Sequence, residues 1–229
     1  MSALVTGQGV RRSYEAGGAS LEVVRGVDIE LRAGELTLLM GPSGSGKTTL
    51  VSILAGLLRP SAGTVELLGT PLATVKERAL AALRLAHVGF VFQRDNLFPA
   101  LTALDNVAEV LALKGMPRRR ALELARDALV RVGLGDRLGH VPAQLSGGQR
   151  QRVAIARALA PNPRVLFGDE VTAALDGTSA RAVMELLRTF VTPETAAVIV
   201  THDPRLERYA DRVVTMEDGM LVADRRGIS

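Results

Sequence analysis

Short apolar segments, bounded by turns that contain glycine, are frequent in the first part of this chain. Apolar runs of this length between turn residues are typical of strands that are buried in a sheet. On this pattern we predict strands over residues 21–24, 29–31, 35–40, 64–68 and 88–92. The first part of the chain is therefore predicted to be rich in strands.

Helical character dominates the middle of the chain, and strands return after it. We predict helices over 47–57, 102–132 with an interruption at 115–117, 149–160 and 176–190. Later strands are predicted over 165–167, 198–201, 212–216 and 220–223. Strands that alternate with helices are typical of an α/β fold with a mostly parallel sheet. We therefore predict one α/β domain over 1–229, with a helical insertion at about 94–160.

The composition is that of a globular protein, with 47% hydrophobic and 23% charged residues in a chain of 229. The longest apolar run covers 50–58, far less than the ~18 residues that a membrane-spanning helix needs. Residues 1–12 contain no apolar segment of the kind found in secretion signals. We therefore expect that any membrane crossing is left to a partner chain.

The charge pattern does not favour nucleic-acid binding. The formal net charge is only +4, and the densest basic cluster, at 118–120, is explained by a solvated helix end. A nucleic-acid surface needs a broader basic face, usually with stacking aromatics, and aromatic residues are 3% of this chain. The chain has no cysteine, which excludes disulfides and thiolate metal sites.

Residues 41–48 match the phosphate-loop pattern G-x-x-x-x-G-K-[ST] between a predicted strand and a predicted helix. Glycines let successive backbone N–H groups point at phosphate oxygens, and the helix N-terminus adds its own. Lys47 is expected to reach the β- and γ-phosphates of a nucleotide, and Thr48 to offer a hydroxyl to Mg²⁺. The predicted nucleotide-binding residues are Gly41, Ser43, Gly44, Ser45, Gly46, Lys47, Thr48 and Thr49. The alternative, a chance glycine-rich turn, does not explain the strand–loop–helix context.

Two carboxylates end the apolar strand predicted at 165–167. In phosphate-loop enzymes an acidic residue at such a strand end helps to hold Mg²⁺, and we assign this role to Asp169. Glu170, one residue later, is then placed to orient and polarise an attacking water. Solvation or helix capping is the alternative for an isolated acidic pair, and the phosphate loop favours the catalytic interpretation.

Residues 145–149, Leu-Ser-Gly-Gly-Gln, open a segment that extends to 159. A serine and two glycines at a helix N-terminus form a second anion-binding device. The segment resembles the signature of ABC transporter ATPases; an ordinary serine-capped helix is the alternative. The resemblance implies a P-loop NTPase fold of the ABC ATPase type, with an antiparallel β subdomain and a helical subdomain. It also implies a head-to-tail homodimer in which one subunit's signature closes on the γ-phosphate bound by the other. The signature residues assigned to nucleotide binding are Ser146, Gly147, Gly148 and Gln149.

The resemblance assigns four further residues. Gln93 matches the glutamine that contacts Mg²⁺ or water and links the catalytic core to the transmembrane partner. His202 matches the histidine that contacts the γ-phosphate, and Asp176 matches the segment that crosses the dimer interface. Tyr14 matches the aromatic residue that stacks on adenine, with an ordinary packed or surface tyrosine as the alternative. These assignments make Lys47, Gln93, Glu170 and His202 the predicted catalytic residues, and Thr48, Gln93 and Asp169 the predicted Mg²⁺ ligands.

One residue departs from the family pattern. Val171 stands where the family usually has proline after the catalytic glutamate. Proline fixes φ, so valine is expected to hold Glu170 less firmly. Because both carboxylates remain, we expect slower or unchanged ATP hydrolysis rather than none.

Within the family, the chain resembles the ATPases of lipoprotein-release, macrolide-export and haem-export systems. The segments behind this resemblance are 89–93, 96–97, 102–107, 209–213 and 217–219. It implies an ATP- and Mg²⁺-dependent ATPase that powers export of a small hydrophobic or amphiphilic compound, with haem as the first candidate. The implied partners are a second copy of the chain and two copies of a separate transmembrane permease, at the cytoplasmic face of the membrane.

Three alternatives remain open from the sequence. The first is an ATPase that drives a permease-like complex regulating cell-wall hydrolases, and the second is an importer subunit. The third is an ABC ATPase of DNA repair or of the ribosome. Members of that class usually carry a long coiled-coil insertion or two ATPase halves, and this sequence has neither.

Overall fold

A computed structural model describes residues 2–16 and 19–226. Its strands are β1 (Ala3–Ala16), β2 (Ala19–Arg32), β3 (Leu36–Met40), β4 (Ala62–Leu67), β5 (Thr70–Pro71), β6 (Val88–Val91), β7 (Val165–Asp169), β8 (Ala196–Val200), β9 (Arg212–Glu217) and β10 (Met220–Arg226). Its α-helices are α1 (Lys47–Leu54), α2 (Glu77–His87), α3 (Ala103–Leu113), α4 (Arg118–Arg131), α5 (Gly147–Leu159) and α6 (Gly177–Phe190). The terminal residues of the predicted 1–229 domain, together with 17–18, lie outside the described residues.

Six strands form the core sheet in the order β10-β9-β3-β8-β7-β6. Neighbouring strands from β9 to β6 are parallel, and only the edge pair β9 and β10 is antiparallel. Every residue of β7 and β8 is buried, as expected of parallel strands that are covered on both faces. The prediction of an α/β fold with a mostly parallel core sheet is confirmed.

The two faces of the core sheet belong to two hydrophobic clusters. Leu38, Leu166 and Ile199 point to the side that carries α3, α4, α5 and α6. Leu39 and Phe167 point to the other side, where α1 and the second sheet pack. Successive residues of a strand point to opposite faces, so each strand contributes to both clusters. The predicted insertion at 94–160 contains α3, α4 and α5, and its standing as a separate subdomain stays a prediction.

The second sheet is antiparallel, with the strand order β2-β1-β4-β5. The prediction of two short strands at 21–24 and 29–31 is wrong, since β2 is one strand that continues through Gly26 at φ 75°. Glycine adopts a positive φ at no steric cost, so the strand bends there and its pairing with β1 continues. Strand β1 and helix α2 are absent from the sequence-based prediction. Both bury few apolar side chains, and Leu80 is the buried residue of α2.

No helix within residues 2–16 and 19–226 combines the length and the apolarity that a membrane span requires.

Asn106 on α3 holds the loop that connects β6 to this helix. Its side chain is fully buried, and Nδ2 donates to the backbone oxygens of Phe98 (3.1 Å), Leu101 (3.0 Å) and Thr102 (3.0 Å). Its Oδ1 accepts from the Phe98 backbone N–H at 2.8 Å. This one side chain therefore makes four hydrogen bonds to the backbone of the turn.

Replacing Asn106 with alanine is expected to lower the free energy of unfolding by about 3 kcal/mol, because it removes the four hydrogen bonds of one fully buried side chain. Urea denaturation followed by circular dichroism measures the loss. Asn106→Asp is the matched variant, because it keeps the Oδ1 acceptor but loses the donor. We expect it to lower the free energy of unfolding as well. A change below about 1 kcal/mol for the alanine variant would contradict this role.

Candidate functional site

The predicted catalytic residues meet at one edge of the core sheet. The phosphate loop follows β3, Gln93 lies two residues after β6, and Asp169 is the last residue of β7. His202 follows β8. Because the carboxyl ends of parallel strands share an edge, these residues lie together at the place where open α/β sheets bind ligands. They line one cleft of about 560 Å³, whose polar and glycine residues are Gly41, Ser43, Gly44, Gly46, Lys47, Thr48, Thr49, Gln93, Asp169, Glu170 and His202.

Two glycines of the phosphate loop are required by close backbone approaches. Gly41 has φ 138°, and a Cβ on it would lie 2.0 Å from the Met216 backbone oxygen. Gly46 has φ 98°, and a Cβ on it would lie 2.4 Å from the Val23 backbone oxygen. Any side chain at either position would collide with main chain that cannot move aside. The loop is thus held in a curled conformation directly before the N-terminus of α1, which favours anions.

The Lys47 ammonium group lies inside the phosphate loop. Its Nζ donates to the backbone oxygens of Gly41 (2.9 Å) and Pro42 (2.6 Å) and to Ser45 Oγ (3.2 Å). Only 7% of Lys47 is exposed. Burial lowers the pKa of Lys47, and the nearby carboxylates of Glu170 and Asp169 oppose that effect. The loop therefore presents a partly desolvated positive charge where a phosphate would bind.

Asp169 has the donor atoms that a hard cation requires. Its Oδ2 accepts from the Thr48 hydroxyl at 2.8 Å, whereas its buried Oδ1 has no hydrogen-bond partner within the described part of the chain. Burial raises the pKa of Asp169, and the hydrogen bond from Thr48 opposes this shift. Mg²⁺ is bound through one or two carboxylates together with phosphate oxygens, and hydroxyl groups also serve. An orphan carboxylate oxygen beside a hydroxyl, next to a phosphate loop, fits this ion.

Glu170 stands in an uncommon backbone conformation that directs its side chain to His202. Its φ is 50°, in the left-handed region, and its backbone N–H donates to the Val200 oxygen at 3.0 Å. Its Oε1 lies 2.8 Å from His202 Nδ1, and this contact raises the pKa of the His202 imidazole. Strained conformations of this kind cluster at active sites.

Val171, which replaces the family's usual proline, is 1% exposed and packs in the core. Its effect on hydrolysis stays a prediction.

The residues of the predicted signature lie outside this cleft. Ser146 is exposed and caps α5: its Oγ accepts from the Gln149 backbone N–H at 3.2 Å. In return, Gln149 Oε1 accepts from the Ser146 backbone N–H at 2.8 Å, which completes a capping box. The structure therefore does not bring Ser146, Gly147, Gly148 and Gln149 to the phosphate loop of their own chain.

Asp176 and Tyr14 also lie outside the cleft. Asp176 caps α6, where hydrogen bonds from Ser179 and Thr178 lower the pKa of its carboxyl group. The Tyr14 ring is 39% exposed, and the Arg12 guanidinium lies 4.6 Å from its centroid. Their assigned roles at the dimer interface and on adenine stay predictions.

Three apolar residues of the cleft have no counterpart in the sequence-based prediction. Val23, Ala173 and Val200 contribute to its lining. Val200 lies in the strand predicted at 198–201 and so had a positional signal. Val23 comes from the antiparallel sheet, and its proximity to the loop depends on how the two sheets pack.

A family profile described as ABC transporter matches residues 24–173 of the chain. The chain is 47% identical over 223 residues to the macrolide export ATP-binding/permease protein MacB 1/2 of Paracoccus denitrificans. That alignment covers 97% of this chain and 33% of the relative, so the chain spans about a third of the relative's length. It is also 47% identical over 219 residues to the lipoprotein-releasing system ATP-binding protein LolD 2 of Caulobacter vibrioides, covering 95% and 96% of the two chains.

Solved structures with the same fold include an ATP-binding cassette and a component of an ABC transporter complex. The dimeric ATP-binding cassette MJ0796, in a post-hydrolysis state bound to ADP and Pi, matches with a TM-score of 0.94 and 35% identity. That match covers 98% of this chain and 99% of the other. The cbiO1 protein from Clostridium perfringens, part of the cbiONQ transporter complex, matches with a TM-score of 0.85 and 28% identity, covering 99% and 89%.

Proposed function

Because this chain belongs to the ABC transporter family of ATP-binding proteins, we propose that it binds and hydrolyses ATP and thereby powers a membrane transporter. The observation that carries the proposal is the convergence of three groups in one cleft. These groups are the Lys47 ammonium in its glycine loop, the Thr48–Asp169 pair and the Glu170–His202 pair. Together they offer what phosphoryl transfer needs: fixed positive charge, a place for a divalent cation and a base for water.

Each group has a distinct part in the reaction. Backbone N–H groups of the phosphate loop and Lys47 bind the β- and γ-phosphates and neutralise their charge. Thr48 and Asp169 would hold Mg²⁺, which when bound would further neutralise the charge of the phosphates. Glu170 orients a water for in-line attack and takes up its proton. His202 contacts the γ-phosphate through its imidazole, whose pKa is raised by the hydrogen bond with Glu170.

The second phosphate-binding element, the tip of α5 at Ser146, requires a second copy of the chain. It lies outside the cleft of its own chain and is exposed. In a head-to-tail dimer, this tip faces the γ-phosphate that the other copy holds. Such a dimer is stable with ATP and dissociates once the products of hydrolysis leave, so ATP binds one of two conformations preferentially. The related MJ0796 cassette is dimeric, also when bound to ADP and Pi, which supports the formation of a dimer by this chain.

A complementation experiment tests the shared site. Lys47→Ala removes the phosphate-binding ammonium of one copy. Ser146→Asp keeps an N-cap as good as serine but places a negative charge against the partner's phosphate. Each variant alone is expected to be inactive. A mixture is expected to hydrolyse ATP, because a mixed dimer combines the intact loop of one chain with the intact Ser146 of the other.

The matched control is Ser146→Thr, which keeps both the hydroxyl and the cap and is expected to hydrolyse ATP on its own. A mixture that stays inactive, although both variants fold and form mixed dimers, contradicts the shared site. So does ATP turnover by Ser146→Asp alone.

The class of transported compound is inferred from the relatives of this chain. We infer export of a small hydrophobic or amphiphilic compound through two copies of a transmembrane permease, with the ATPase on the cytoplasmic face. The names of the relatives, which refer to macrolide export and lipoprotein release, support compounds of these two classes. Haem stays a prediction that rests on the sequence resemblance alone.

A further inference from the structure

The segment that follows Gln93 is bound to α5 by three hydrogen bonds. Arg150 Nε donates to Asp95 Oδ2 at 2.8 Å. Arg157, two turns further along the helix, donates to the backbone oxygens of Asn96 (2.8 Å) and Asp95 (2.9 Å). Burial lowers the pKa of Arg157, and the Asp95 carboxylate opposes this shift. The loop that carries Gln93 is therefore attached to α5 through the Asp95 side chain and through the backbone oxygens of Asp95 and Asn96.

Arg150 also contacts the segment that directly precedes α5. Its NH1 group donates to the Leu145 backbone oxygen at 2.9 Å. Leu145 directly precedes Ser146, the N-cap of α5. One guanidinium group thus joins a residue next to Ser146 to a residue two positions after Gln93. Planar guanidinium groups hold two partners in a defined relative geometry, which a lysine ammonium does not.

Gln93 and Ser146, the two residues that Asp95 and Arg150 connect, have different surroundings. Gln93 lines the nucleotide cleft of its own chain, whereas Ser146 is exposed and lies outside it. The Asp95 and Arg150 side chains are 27% and 37% exposed. Ion pairs at this level of exposure contribute little to global stability. The contribution of the pair is therefore the geometry that it imposes on the two segments.

We propose that Asp95 and Arg150 are positioning residues that couple nucleotide binding in one chain to the presentation of its Ser146 to the other. The proposal rests on the shared ATP site proposed above. A displacement of Gln93 that follows γ-phosphate binding is passed through Asp95 and Arg150 to the tip of α5. The pair acts on dimer formation, and it leaves the intrinsic affinity of a single cleft for ATP unchanged.

The test uses Glu170→Gln as the parent, because this chain is expected to hold ATP without hydrolysing it. In this parent, Asp95→Ala and Arg150→Ala are each expected to weaken dimer formation at saturating ATP and Mg²⁺ about tenfold. Analytical ultracentrifugation measures this loss. ATP affinity, measured with a fluorescent analogue at chain concentrations that keep the protein monomeric, should change less than about twofold. Melting temperatures should change by less than about 4 °C.

Three further variants make the result specific. Asp95→Glu keeps the carboxylate and is expected to dimerise like the parent. The double variant Asp95→Ala/Arg150→Ala is expected to be no worse than either single variant, because both changes remove the same link. Glu123→Ala breaks exposed ion pairs on α4 and is expected to have no effect on dimerisation.

The possible results separate the coupling from the shared site. Normal dimerisation of Asp95→Ala in a parent that dimerises, or additive losses in the double variant, overturns the coupling and leaves the shared site intact. A tenfold loss of ATP affinity in the monomer also overturns the coupling, because Asp95 and Arg150 would then act on the cleft of their own chain. A parent that stays monomeric with ATP and Mg²⁺ overturns the shared site and the coupling together.

Discussion

Glu170→Gln is expected to reduce the rate of ATP hydrolysis by about 10²- to 10⁴-fold while leaving ATP binding intact. Glutamine has the size of glutamate and keeps a hydrogen-bonding group near His202, where Glu170 Oε1 now lies 2.8 Å from Nδ1. It cannot accept a proton from water at neutral pH. Dimer is therefore expected to accumulate with ATP and Mg²⁺, because the γ-phosphate that joins the two chains persists. Phosphate release and analytical ultracentrifugation measure the two effects.

A matched variant is Glu185→Gln on the exposed side of α6, which removes a carboxylate outside the cleft and should hydrolyse ATP normally. Turnover within about threefold of the unchanged protein would show that Glu170 is not the base. If Glu170→Gln is inactive but stays monomeric with ATP, Glu170 remains the assigned base and the shared site is contradicted.

Lys47→Ala is expected to abolish ATP turnover, with a loss of at least about 10²-fold. The lysine ammonium is 7% exposed and is held by three oxygens of the phosphate loop. Its removal takes away the one lysine charge in the cleft and leaves loop carbonyl oxygens turned toward an anionic ligand. Binding of a fluorescent ATP analogue and phosphate release together show whether affinity, chemistry or both are lost.

Lys76→Ala is the control for charge, because Lys76 is an exposed lysine at the N-cap of α2. It is expected to bind and hydrolyse ATP normally. Thermal melting checks that the Lys47 variant folds. Normal turnover by a folded Lys47→Ala chain would remove the basis for assigning residues 41–48 to phosphate binding.

The core strands could be predicted from the sequence because burial on both faces leaves a clear pattern. Strands β7 and β8 are short, continuous apolar runs, and both are buried throughout. Strand β1 has no such pattern: among its described side chains, Leu4, Val5 and Val10 are its buried branched aliphatic residues, and they stand among polar ones. It is a strand because β2 and β4 pair with it along its length. Such pairing depends on tertiary context more than on local propensity.

The residues of the site also differ in how far they could be predicted from the sequence. Asp169 could be located because the end of its strand is visible in the sequence, and His202 was assigned through the family resemblance. The contact between Asp95 and Arg150 carried no comparable signal: Asp95 belongs to no recognised pattern, Arg150 lies in the signature segment without an assigned role, and the two residues stand 55 positions apart. Charged residues of this kind are read from sequence as solvated surface.

Three features of this protein follow from short stretches of its sequence: the curled phosphate loop, the acidic end of β7 and the capped tip of α5. Each depends on residues that are close in the chain, so their spacing defines it. Which of these elements share a cleft depends instead on how the strands and helices pack. Thr48 meets Asp169 across 121 residues because parallel strands place their carboxyl ends at one edge of the sheet. The packing of α5 beside the sheet instead leaves Ser146 exposed outside that cleft, where a second copy can reach it.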